Sequence, residues 1–201
     1  MKDNVTAISN HQRLIVRWKQ GDTQVAQVLY DTHRDQAFRL ALSLLDHQED
    51  AEDVAQEALS HALLNPQRFD PAKGRFGTWL GGIVVRMCRS RRRAKRRRER
   101  LMFWTWGRSR SLTPSAETPE EATARNQQHS QLWRAVQALP ELHKEAVILR
   151  MWGGHTYQDI AQILQCPQRT AQSRVRLGLE RLRLTLGQDF KPEVRRSEDL
   201  G

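Results

Sequence analysis

TYQDIAQILQCPQRTAQSRVRLGLERLR, residues 156–183, reads as two short helices around a tight turn. Thr156 can cap the first helix, with Asp159 three residues on to answer it. Ile160, Ala161, Ile163 and Leu164 then give that helix one apolar face. Gln165-Cys166-Pro167 breaks it, and Pro167 suits the first turn of a new helix, where no amide hydrogen is needed. In the second helix Ala171, Val175, Leu179, Leu182 and Leu186 recur every three or four residues and face inward. Arg169, Gln172, Ser173, Arg176 and Leu177 fall on the outward face. Arg can bond guanine edges, Gln adenine edges, and an apolar tip can touch a thymine methyl. The pattern fits a DNA-binding helix-turn-helix, with small Ala161 letting the two helices cross closely. The plainer alternative is a helical hairpin inside a bundle whose outer face is merely solvated.

The 201 residues fit one or two domains, and the formal charge of +10 points to a polyanionic partner. That excess is unevenly spread. Residues 89–100 (RSRRRAKRRRER) hold nine basic residues and one Glu, whereas residues 1–57 hold six Lys or Arg against ten Asp or Glu. A basic module therefore follows an acidic one, which suggests two different partners. Cys88 and Cys166 are the two cysteines. Far apart, with no spaced His or Cys to complete a ligand set, they argue against a disulfide framework and a zinc site, and suit a reducing cytoplasm. The start, MKDNVTAISNHQR, is too polar for a signal peptide, and no apolar run approaches membrane-spanning length. No metal, cofactor or membrane insertion is expected, and the protein is expected in the cytoplasm.

Upstream, residues 10–20 look like a short helix with Leu14, Ile15 and Trp18 apolar. A longer one follows from Asp22 to about Leu45, with Val25, Leu29, Ala37, Leu40, Ala41 and Leu44 on one side. The next helix is the most regular: Ala51, Val54, Ala55, Ala58, Leu59, Ala62 and Leu63 keep a 3–4 repeat. Its other side carries Asp50, Asp53 and Glu57, flanked by Glu49, Glu52 and Gln56. Asn65-Pro66 stops it, and residues 65–78 (NPQRFDPAKGRFGT) form a Pro/Gly-rich loop. A further helix begins near Trp79, packs through Leu80, Ile83, Val84 and Met87, and runs into the arginine block, which should be ordered at least at its start. Residues 101–130 have linker composition, with an apolar cluster of Leu101, Met102, Phe103, Trp104 and Trp106 that either packs on the first domain or contacts a partner. Beyond it Leu132, Trp133 and Val136 open a second helical domain. Leu139-Pro140 separates its first two helices, and Gly153-Gly154 closes the second. The expected fold is all-α: a domain over 10–100, a flexible linker over 101–130, a helix-turn-helix domain over 131–187 and a tail over 188–201.

This order of parts resembles bacterial sigma factors of the sigma-70 family, and is most similar to the small extracytoplasmic-function (ECF) group. DHQEDAEDVAQEALSHAL (46–63) is similar to the family's polymerase-binding helix, and RFDPAKGRFGTWL (68–80) to its promoter-melting loop and following helix. LPELHKEAVILRMWGGHTYQDIAQILQCPQRTAQSRV (139–175) resembles its final domain, with a Cys-Pro turn like that of envelope-stress members. The resemblance implies a protein that is not an enzyme, docks on core RNA polymerase and directs it to promoter DNA, and it makes an anti-sigma protein a further expected partner. It implies polymerase contacts through Asp50, Asp53, Gln56 and Glu57. It places Lys73, Arg75, Phe76, Trp79 and Arg86 on the minus-ten element, with Arg91, Arg92, Arg93 and Lys95 on nearby phosphates. Arg169, Thr170, Gln172, Ser173, Arg174 and Arg176 are expected to read the minus-thirty-five element.

Three departures from the family pattern stand out. Gly81-Gly82 replace larger residues, although each helical glycine costs roughly 1 kcal/mol against Ala. Arg86 stands where Asn is common. Gln165 and Arg169 occupy positions that are often Gly, and Gln172 one that is often basic. These changes argue for an altered promoter sequence. Two rival functions remain at this level. A helix-turn-helix regulator working without polymerase would explain the second domain but leave the acidic helix without a task. A metal-dependent nuclease built on His47, Glu49, Asp50, Glu52 and Asp53 would need those ligands to converge on one point.

Overall fold

A computed structural model describes residues 13–45, 47–106 and 124–187, with side chains placed except over 102–106 and 124–130. Among the described residues every regular element is helical: α1 (13–19), α2 (Thr23–Leu44), α3 (Gln48–Leu63), a 3-10 turn (Pro66–Arg68), α4 (Phe76–Trp106), α5 (Ala124–Gln137), α6 (Glu141–Met151), α7 (Tyr157–Leu164) and α8 (Gln168–Leu186). The expected apolar cluster at Met102–Trp106 lies outside the described side chains, and 107–123 and 188–201 lie outside the described residues.

Helices α1–α4 form the first unit. Asp22 caps α2, its carboxylate accepting from the amides of Gln24 and Val25. α2 then buries Val25, Leu29, Ala37, Leu40, Ala41 and Leu44, the side the periodicity marks. α3 answers with Ala51, Val54, Ala55, Ala58, Leu59 and Ala62, all buried, and its small residues let α2 lie close. One end of this core is aromatic. Trp18 of α1 meets Phe76 edge-on at 5.3 Å, and Phe69 and Trp79 complete the cluster. Phe76 is fully buried there, so α4 begins three residues before Trp79, drawn into the helix by an apolar anchor.

Helices α5–α8 form the second unit. α6 buries Glu145 through Leu149 without a break, as a central helix must. α8 crosses it at Gly178, where a Cβ would stand 2.5 Å from Val147 Cγ2. Gly178 is thus the small residue that sets this crossing. Trp133 and Trp152 pack edge-on at 5.9 Å behind it.

The two units pack on each other, α4 against α7 and α2 against α6. The glycine pair finds its reason in this joint. A Cβ on Gly81 would come within 3.3 Å of Ile163 Cδ1, and one on Gly82 within 3.8 Å of the Ile163 backbone. Bare helix surface at 81–82 lets α7 settle on α4. Beside it a cavity of ≈ 180 Å³ is lined from both units, by Leu40, Leu80, Val84, Ile148 and Trp152 among others.

Candidate nucleic-acid interface

On α3 the residues opposite the core stand outward: Asp53, Gln56 and Glu57 are exposed and Asp50 is half-buried. Arg91 of α4 reaches both aspartates, Nη1 lying 3.4 Å from Asp50 Oδ1 and Nη2 3.3 Å from Asp53 Oδ2. Exposed pairs of this kind are worth about 0–1 kcal/mol, so a partner can displace Arg91 at little cost. Among the described residues no three His, Cys, Asp or Glu side chains gather as a metal site would require. The acidic face is spread along a helix, which suits a broad basic partner surface.

The loop between α3 and α4 shapes a groove. Pro66 starts the 3-10 turn, and the Asp70 side chain accepts from the Ala72 amide at 3.1 Å to fold the chain back. Lys73, Arg75, Trp79 and Arg86 all line the resulting groove of ≈ 660 Å³, with His61, Arg68 and Arg89. Four of the five expected minus-ten residues therefore share one concave, cationic surface. Phe76 does not: its ring fills the aromatic core, and its contribution is to hold Trp79, 5.7 Å away, at the groove wall. Clustered cations beside an aromatic edge suit a single-stranded backbone with an unstacked base.

The arginine block divides by helical phase. Arg93 is exposed, and Lys95 is exposed with Nζ 3.0 Å from His47 Nε2. Arg91 turns to the α3 acids, as above. Arg92 is withdrawn from solvent, contrary to its expected phosphate role: its side chain is 11% exposed, and Nη2 lies 3.0 Å from Glu141 and 2.7 Å from Glu145. Arg89 joins it, donating Nε to Glu145 Oε1 at 3.0 Å and Nη2 to Oε2 at 2.6 Å. Hydrogen bonds to Glu145 raise Arg89 further above its already high range. Glu145 itself is fully buried. The sequence did hold a signal for this cluster. Arg89, Arg92 and Arg96 recur at spacings of three and four, and Glu141 and Glu145 at four, so each helix carries one charged stripe.

On α8, Arg169, Gln172 and Arg176 are exposed, while Thr170, Ser173 and Arg174 are half-buried. Arg176 Nη1 lies 2.7 Å from Glu180, an exposed pair on the helix's own surface. The turn before α8 is held from both ends. Thr156 and Asp159 form the full capping box, each side chain accepting the other's amide at 3.1 Å. Gln165 ends α7 in the left-handed region at φ 52°, the conformation usually left to glycine. Asp159 also accepts from Thr78 Oγ1 at 3.0 Å and lies 3.4 Å from Arg75, so the cap of α7 grips the first unit. Burial alone would raise the Asp159 carboxyl. The Thr156 hydroxyl and amide, Thr78 and the charge of Arg75 outweigh it and hold it below its ordinary value. Burial also pushes the Cys88 thiol up to about 12, leaving it inert in the core.

Residues 29–98 match the family described as Sigma-70 region 2, and residues 129–182 match Sigma-70, region 4. The chain is 29% identical over 174 residues to the RNA polymerase sigma-H factor of Pseudomonas aeruginosa, covering 82% of this chain and 87% of that one. It is 26% identical over 181 residues to the ECF RNA polymerase sigma factor SigW of Bacillus subtilis, covering 87% and 96%. Among solved structures, the sigma factor RpoE in complex with the anti-sigma factor NepR from Bartonella quintana shares the fold with a TM-score of 0.63 at 23% identity, over 82% of this chain and 98% of that one. CnrH, solved with the cytosolic domain of CnrY, shares it at 0.64 and 17% identity, over 90% and 99%. With region 2 and region 4 present in order in one chain whose described elements are all helical, the protein belongs to the ECF group of the sigma-70 family.

Proposed function

We infer that this chain binds core RNA polymerase and directs it to promoters through three surfaces. The acidic face of α3, at Asp50, Asp53, Gln56 and Glu57, meets the polymerase. The groove of Lys73, Arg75, Trp79 and Arg86, with Arg93 and Lys95 beyond it, meets the minus-ten element. The outward side of α8, from Arg169 to Arg176, reads the minus-thirty-five element. The observation that carries this reading is the presence of region 2 and region 4 in one chain, each with its charged face outward. A regulator acting without polymerase would leave region 2 unemployed. The chain supplies binding and positioning, with the chemistry left to the polymerase. Its workplace is then the cytoplasm, and no helix among the described residues is long and apolar enough to cross a membrane. RpoE of Bartonella quintana was solved with an anti-sigma factor, and a partner of that kind is the third we assign here.

The test is co-purification with core polymerase. Replacing Asp50, Asp53 and Glu57 together by Ala should abolish core binding with helicity unchanged, because exposed side chains add little to folding. Retained binding in an anisotropy titration would remove α3 from the polymerase contact.

A further inference from the structure

The cavity between the units arises because small residues meet there. Ala37 of α2, Gly77 and Gly81 of α4 and Gly153 after α6 all line it, and none has a side chain long enough to fill it. Leu40, Leu80, Val84, Ile148 and Trp152 supply an apolar wall. Its volume of ≈ 180 Å³ compares with the roughly 150 Å³ at which a dry apolar cavity takes up a single aromatic ring. Arg39 and Leu42 line it and are exposed, so it opens to water along α2.

Its polar groups differ in what they have left to offer. Ser43 Oγ already donates to the Arg39 carbonyl at 2.7 Å, and Gln36 Oε1 lies 3.4 Å from His33 Nδ1. His155 is different. Three polar or charged residues are buried among the described ones; Thr78 is bonded to Asp159, and Glu145 to two arginines. The third, His155, is 7% exposed and lines the cavity, with no hydrogen bond to its ring among the described residues. Gly153 gives the imidazole its place, since a Cβ there would stand 2.7 Å from His155 Cδ2. Burial holds the ring below its ordinary pKa, and Arg75 adds to this against the pull of Asp159. The imidazole is therefore neutral near pH 7, with one nitrogen to donate and one to accept. A buried polar group without a partner is costly, and here the cavity can supply one.

We propose that this cavity binds a small uncharged molecule with one apolar ring and one hydroxyl, a phenol in chemical class, seated with its hydroxyl on His155. The ring matches the apolar wall, and the hydroxyl meets the unpartnered nitrogen. A charged head is disfavoured, because the buried group that receives it is a neutral imidazole. The site is separate from the acidic face of α3, the minus-ten groove and the outward side of α8. Its walls come from both units, so occupancy stabilises the whole chain by mass action.

The experiment titrates phenol and toluene into the full-length protein, following the methyl resonances of Leu40, Leu80, Val84 and Ile148 and the melting temperature. Phenol should shift these methyls saturably, with a dissociation constant below about 1 mM, and raise the melting temperature. Two variants locate it. His155→Leu keeps the apolar wall and removes the hydrogen bond, so phenol should bind about tenfold more weakly while toluene loses nothing. Ala37→Leu fills the space, and both probes should cease to shift the methyls with helicity unchanged. If one variant loses helicity, the other decides. The absence of saturable shifts in wild type, or shifts confined to residues outside the wall, overturns the proposal. So does a His155→Leu protein that binds phenol as wild type does, or that loses phenol and toluene equally.

Discussion

Asp159 does two tasks with one carboxylate. It completes the cap of α7 with Thr156, and it reaches the first unit at Thr78 and Arg75. Replacing it by Ala removes both, and the loss of the capping box alone should cost about 1 kcal/mol near neutral pH. The pH dependence has a definite sign. The carboxyl lies below its ordinary value of 3.8 in the folded chain, so its contribution is complete above that value. It drains away as pH falls below 3.8 toward the folded pKa, because the unfolded chain takes up the proton first. Urea melts of wild type and Asp159→Ala should therefore differ by a constant amount near pH 6, and the gap should narrow as pH falls below the ordinary carboxyl value of 3.8. A gap that widens in acid would mean Asp159 acts in its protonated form.

At the scale of the element, the reading proposed for α8 separates base readout from grip on the backbone. Gln172, Ser173 and Arg176 lie on one row of the helix, and Arg174 lies about two residues off it. Arg176→Ala should cost about 1–3 kcal/mol on the preferred minus-thirty-five sequence and relax the choice at one base pair. Arg174→Ala should weaken all sequences alike. A binding scan over single-base variants at one salt concentration distinguishes them, and a uniform loss for Arg176→Ala would shift the register of the recognition helix. The helices themselves were largely legible from sequence. The Ala/Leu stripe of α3 and the Thr156–Asp159 cap are local patterns, written within one or two turns. What escaped was non-local. Phe76 sits among basic and glycine residues and reads as loop, because its partner Trp18 lies far earlier in the chain. Glu145 reads as one more solvated charge on α6 until Arg89 and Arg92 are laid beside it. Gly81-Gly82 read only as a helical weakness until Ile163 is placed upon them.

Across the whole molecule, the energetics of the Glu145 cluster depend on whether the units can separate. Breaking a buried ion pair usually costs about 3–5 kcal/mol, since the surviving charge stays out of water. If the units part, Arg89 and Arg92 regain water, and the loss on replacing Glu145 is then capped by the free energy that holds the units together. Residues 107–123 join the units covalently. A tether of that length holds the second unit near the first at an effective concentration on the order of millimolar. A protease site inserted there and cut in the folded protein should let the halves separate at micromolar concentration, seen as two slower species in analytical ultracentrifugation. A single persisting species would mean the joint holds without its tether. Chain connectivity thus sets how strong the interface must be. Faces too weakly matched to find each other as separate proteins stay together most of the time when one backbone carries both, and that same weakness leaves the protein easy to open.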